Sequence, residues 1–124
     1  MLKLNMWIRR RDGLDVAQFQ RYWRDHHGPL VRGYSALLGI RRYVQTVPLA
    51  QPGPQQALRD SRGALPADFD GCAELWWDDM ESHLAARLTR EGAAALQALV
   101  EDEARFVDLS RSLLWYGSEY EVIA

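Results

Sequence analysis

The chain has 124 residues, a formal net charge of −2 and 48% hydrophobic residues, which makes one globular domain over 1–124 with no room for a second. No run of like charge is longer than Arg9–Arg11, so neither nucleic acid nor an anionic membrane surface is an expected partner. Cys72 is the only cysteine and no apolar run approaches the roughly twenty residues a bilayer needs, which excludes an intrachain disulfide and predicts a cytoplasmic protein.

Leu2, Leu4, Met6 and Ile8 alternate with Lys3, Asn5, Trp7 and Arg9. This predicts a first strand with one face for helices to cover and another carrying Asn5 and Trp7. Asp15 as N-cap, Gln18 three residues on and Leu14 set against Phe19 then signal a helix start. The helix is expected to run to about His27 and to break at Gly28-Pro29, because the residue before a proline is driven out of the α region. A short amphipathic continuation ends at Gly39.

Ile40–Leu49, rich in β-branched residues, predicts a second strand, and Ala50–Asp70, with its prolines and glutamines, predicts a long mobile loop. Cys72–Asp78 reads as the third strand. Asp78-x-x-Glu81 reads as a second capping box, opening a helix with Met80, Leu84 and Leu88 on its buried stripe. An interruption is expected near Gly92, followed by Leu96, Leu99, Val100, Phe106 and Val107 on the buried side. Leu113–Ile123 is the fourth strand, and rings on both its faces leave open whether Trp115 or Tyr116 points inward.

The order β-α-β-β-α-β predicts an α+β fold of ferredoxin-like type, with a four-stranded antiparallel sheet and both helices on one face. The other face, bearing Trp and Tyr, needs a cover. A second copy would supply it, giving a homodimer in the form of an α/β barrel with a cavity on each side.

Candidate chemistry centres on FQRYWRDHHGPLV, residues 19–31. Phe19, Trp23 and either His26 or His27 fall on one helical stripe, and His27 lies one turn beyond Trp23. Gly28 removes bulk beside the ring, and Pro29 leaves no donor to compete for its nitrogen. His27 is therefore the expected general base, and Trp23 an expected lining residue. A small hydrophobic or aromatic ligand would be held by Asn5, Trp7, Tyr43, Gln45, Glu74 and Trp76 together with one face of the fourth strand. Glu74 needs a partner or a task if its strand is buried on both sides. Nucleotide-binding, zinc-hydrolase and serine-hydrolase motifs are missing, and His26, His27 and His83 lack metal-ligand spacing. No metal and no cofactor are expected.

The blocks LKLNMWIRRRDGL, FQRYWRDHHGPLV, FDGCAELWWDD and DEARFVDLSRS give the chain its family likeness. It resembles the EthD family of small dimeric α/β-barrel proteins. The family's helix signature, an aromatic pair followed by a His before a small residue and Pro, is matched by Tyr22, Trp23, His27, Gly28 and Pro29. The resemblance implies a catalytic His27, and places Asp102, Glu103, Phe106 and Asp108 on the pattern of the last block. Asp108 would either anchor a helix end or orient an imidazole. The implied function is turnover of a small aromatic or polyketide-like molecule by His-assisted, cofactor-free oxidoreductase or monooxygenase, cyclase or decarboxylase chemistry. The alternative is a non-catalytic binding or accessory protein in a degradation pathway. The set Asn5, Trp76 or Trp77, and His83 is also similar to one found in haem-degrading enzymes of similar fold.

Overall fold

The computed structural model, which describes residues 1–124, builds its sheet outward from β1 (Leu2–Ile8). β1 lies antiparallel between β3 (Gly71–Trp77) and β4 (Leu113–Ser118), and β2 (Arg42–Thr46) lies outside β3, so the strand order is β2-β3-β1-β4. This is the α+β, ferredoxin-like arrangement that the order of elements predicts. The register sorts side chains between two faces: Leu4 stands opposite Leu75 and Tyr116, whereas Asn5 stands opposite Glu74 and Trp115. Since side chains alternate along each strand, Tyr116 therefore faces the helices, and Trp115 faces away from them.

Helices cover only the first of these faces. α1 (Val16–Tyr22) starts on a capping box: the Gln18 amide donates to Asp15 Oδ1 at 2.8 Å, and the Asp15 amide donates to Gln18 Oε1 at 2.9 Å. The expected break at Gly28-Pro29 does not occur. Trp23–His27 form a π turn, in which the Gly28 amide donates five residues back to the Trp23 carbonyl, and α2 (Gly28–Leu38) continues directly. Pro29 has no amide hydrogen and its ring would collide with the carbonyl four residues earlier, so the wider turn lets the chain stay helical through it. α2 stops at Gly39 in the left-handed conformation, φ 70°.

Other boundaries also move. Pro52–Asp60 is a helix, α3, rather than loop, with proline in its first turn where a missing amide costs nothing, although none of its residues is buried. β4 ends at Ser118 and not Ile123, because Leu2, its partner there, is the first residue of β1. The helix after β3, α4 (Met80–Leu88), is capped by Asp79, whose carboxylate accepts from the Ser82 amide at 2.7 Å. Asp78 instead pairs with Arg41 at 2.7 Å.

The stripe expected to be buried, Met80, Leu84 and Leu88, faces solvent, and His83 is the buried residue of α4. The face pressed inward is chosen by the Trp77 ring, whose centroid lies 4.0 Å from that of His83. The chain restarts at Thr89, ahead of Gly92, as α5 (Arg90–Phe106). No helix is long and apolar enough to cross a membrane.

Candidate active site

The buried side of α5 consists of Gly92, Ala95, Leu99, Asp102 and Phe106, spaced three and four apart. A carboxylate thus occupies a core position of an otherwise apolar stripe, and Asp102 is fully buried. Such a group is tolerated only with partners. Three donors supply them: the Tyr22 hydroxyl to Oδ1 at 2.6 Å, Arg105 Nη1 to Oδ1 at 3.0 Å, and His27 Nδ1 to Oδ2 at 2.8 Å. His26 Nδ1 stands further off, 3.4 Å from Oδ1.

The π turn delivers His27 to this carboxylate. Phe19, Trp23 and His27 are all buried, and His27 is only 4% exposed, whereas His26 remains outside, stacked on Tyr22 with centroids 4.6 Å apart. Gln45 Nε2 donates to the Trp23 carbonyl at 2.9 Å and to the Tyr43 hydroxyl at 3.0 Å, tying β2 to the turn. Gly28 makes room for this, since a Cβ there would lie 3.3 Å from Gln45 Nε2.

Burial works to raise the Asp102 carboxyl, but the hydrogen bonds from Tyr22, His27 and Arg105 outweigh it and hold the group at about 2. Burial pushes His27 below its ordinary value, more than the neighbouring Asp102 raises it. The stable state near neutrality is a carboxylate beside a neutral imidazole. An ionised carboxylate only accepts, so Nδ1 carries the proton and Nε2 keeps its lone pair, with no hydrogen-bond partner. His27 lines a small internal void of about 40 Å³, together with Trp23, Tyr43 and Glu103.

Glu103, the next residue along α5, also lines a larger cavity of about 340 Å³ between helices and sheet. The walls of that cavity are mostly apolar, from Leu4, Met6, Leu75 and Leu114 on the strands and Leu96, Leu99 and Val100 on α5, with Trp77, His83, Arg87 and Tyr116 among its other residues. Burial first, and the Asp102 charge second, raise the Glu103 carboxyl to about 7. His83 shares a hydrogen bond with the Tyr116 hydroxyl at 2.8 Å through Nε2, and its buried Nδ1 has no partner.

The structure gathers His27, Trp23 and Tyr43 on the helix-covered side, and places Asn5, Trp7, Glu74 and Trp76 on the opposite face. Tyr43 and Gln45 thus part from the strand residues with which the sequence groups them: alternation within β2 separates Tyr43 from Val44, but only pairing with β3 shows which of the two faces the helices. Glu74 has its partner in Lys3, and Trp76 donates its indole N–H to Glu119 while Lys3 and Arg42 lie over its ring, at 4.9 and 4.7 Å from the centroid.

Asp108 anchors a helix end: it caps the short 3-10 turn at Leu109–Arg111 and binds Arg111 Nε at 2.7 Å. The imidazole is oriented by Asp102 instead. Trp77 and His83 meet, but Asn5 is on the far side of the sheet, so the set similar to haem-degrading enzymes is not assembled. No three His, Cys, Asp or Glu side chains are grouped so as to hold a metal ion. Asp102 and Glu103 are the residues whose roles sequence reasoning missed. The signal was a carboxylate in phase with Ala95, Leu99 and Phe106.

A family model described as the EthD domain matches residues 11–110. An ethyl tert-butyl ether D (EthD) family protein from Bacillus halodurans C-125 is 25% identical and superposes with a TM-score of 0.63, over 97% of this chain and 99% of that one. A dimeric protein of ferredoxin-like fold from Bacteroides fragilis NCTC 9343 is 11% identical, with a TM-score of 0.57 over 95% of each chain. A candidate antibiotic biosynthesis monooxygenase from Deinococcus radiodurans is 13% identical, with a TM-score of 0.53 over 100% of this chain and 97% of that one. The last two likenesses show the fold alone. No curated protein matches the chain in sequence.

Proposed function

The chain belongs to the EthD family, and on that premise we propose that it acts on a small aromatic or polyketide-like molecule held between helices and sheet, with His27 as general base. The observation that supports this reading is the hydrogen bond from His27 Nδ1 to the buried Asp102 carboxylate, which leaves Nε2 as an unpaired base at the edge of an apolar interior. Cyclisation and oxygenation of enolisable compounds can begin with removal of a C–H proton, and a positioned neutral imidazole supplies that step. The open sheet face, where Trp7, Leu113 and Trp115 are exposed, is to be covered by a second copy, closing an α/β barrel.

Replacing His27 by Gln tests the base. Turnover should fall by roughly 10²–10⁴-fold while the fold survives. The assay is a panel of phenolic and polyketide-like compounds, scored by chemical change and by shift of the thermal midpoint. A second reading, a carrier that holds the same molecule unchanged, draws support from the seclusion of His27, which is only 4% exposed. Compounds that raise the thermal midpoint yet are recovered unaltered would favour the carrier.

A further inference from the structure

The larger cavity holds two charged side chains that the His27 reading leaves unused. Glu103 has no hydrogen-bond or ion-pair partner. Arg87, half-buried on α4, has no carboxylate partner either, its one polar contact being with His83 Nε2 at 3.5 Å. Both line the same apolar cavity of about 340 Å³, yet they do not pair with each other. Glu103 sits at the end shared with the void beside His27, and Arg87 sits with His83 and Tyr116 at the β4 side. A Glu103 carboxyl without a partner and a half-buried Arg87 without a carboxylate, both on the wall of one apolar cavity, are placed to meet a ligand that carries a polar group at each end.

We propose that Glu103 and Arg87 are the two poles of the substrate site, and that the ligand is a conjugated hydroxy-carbonyl compound, such as an acylphenol or the enol of a β-dicarbonyl. The proposal rests on the reading of this cavity as the substrate site. In such a molecule the acidic O–H and the carbonyl oxygen are joined through the π system. The O–H bond breaks at the Glu103 end, the proton passes to Glu103 Oε to form a carboxylic acid, and the electron pair stays on the ligand. It delocalises onto the acyl oxygen, which accepts hydrogen bonds from Arg87. No oxidant or reductant is needed to balance the step. Catalysis at the two ends is then coupled: the guanidinium stabilises the charge that the carboxylate creates.

The probe is 4-hydroxyacetophenone, whose near-ultraviolet absorption moves to longer wavelength on ionisation, with 4-ethylphenol as the analogue lacking the acyl oxygen. Wild-type protein near pH 7.5 should bind the probe with the red-shifted spectrum and bind 4-ethylphenol at least about tenfold more weakly. Glu103→Gln should bind the probe without the red shift. Arg87→Gln should weaken binding about tenfold, and Arg87→Lys should recover part of that loss. Absence of binding to the wild type, or a red shift that persists in both Gln variants, overturns the proposal. A red shift lost in His27→Gln but kept in Glu103→Gln also overturns it, while leaving His27 standing as the base.

Discussion

Gly71 lies directly against Trp23: a Cβ at this first residue of β3 would come within 2.5 Å of the indole Cζ3 and 2.8 Å of Cη2. The ring that begins the π turn is therefore seated on bare backbone, and the side-chain space at position 71 is already filled by tryptophan. Gly71→Ala should force the indole or the strand to move, destabilising the fold by about 1–3 kcal/mol. Chemical denaturation measures the loss, and an unchanged midpoint would refute the packing. The same variant should disturb the His27 imidazole resonances, since His27 follows Trp23 by one turn.

Asp102 dominates behaviour in acid. Its carboxyl is held at about 2, below the ordinary 3.8, so the stability it contributes is present above about pH 4 and is lost as pH falls through 2. His27 acts in the same direction, because its pKa is lowered on folding and protonation below its ordinary 6.5 favours the unfolded chain. Asp102→Ala should cost about 3–5 kcal/mol near neutrality, by leaving the Tyr22 hydroxyl and the buried His27 Nδ1–H unpaired. In the variant the acid limb of stability against pH should flatten, which thermal melts across pH 2–7 would reveal.

Glu103 has the opposite sign. Its carboxyl is raised from 4.5 to about 7, so the folded state binds the proton more tightly and stability falls as pH climbs between those values. The groups facing it are Asp102 on its own helix, His27 and Tyr43 around the small void, and His83, Arg87 and Tyr116 around the larger cavity. Glu103→Gln should therefore be more stable than wild type at pH 8 and nearly equal to it at pH 4. Equal melting temperatures at pH 8 would contradict this.

The Trp7 and Trp115 rings meet edge to face with centroids 6.1 Å apart, on the side of the sheet that no helix covers. Placing a charge there should prevent a second copy from docking. Sedimentation of the wild type is expected to give twice the chain mass of 14.2 kDa, and Trp115→Glu the chain mass itself. A monomeric wild type at micromolar concentration would refute the barrel.

How much was legible beforehand depended on the range of each signal. The alternation through Leu2–Ile8 and the Asp15–Gln18 cap are local, and both appear as read. His27 was recognisable because its distance from Trp23 is nearly one turn whether that turn is α or π. Its partner lies 75 residues away, and Asp102 looks like any other acidic residue until its phase with Leu99 and Phe106 is noticed. Tyr43 and His83 went to the wrong faces for a related reason. Periodicity tells which side chains share a face, but the neighbouring element decides which face is inside, and in α4 the Trp77 ring selected His83 over the more hydrophobic stripe.

The π turn at Trp23–His27 also works as a frame selector. Two imidazoles stand side by side in the chain, and each residue advances an α-helix by about 100°. Deleting one residue between Trp23 and His26 would close the wider loop into an ordinary turn, and Gly28–Leu38 would keep its present orientation only if Pro29 were replaced as well, since its ring would otherwise meet the carbonyl four residues earlier. Inserting one in α1 would rotate everything after it and offer the other histidine, or neither, to Asp102. Length variation among relatives should therefore be tolerated inside these five residues only where the proline is lost too, and purged on either side of them, so an alignment gap here would record a change of helix type with the imidazole's direction conserved.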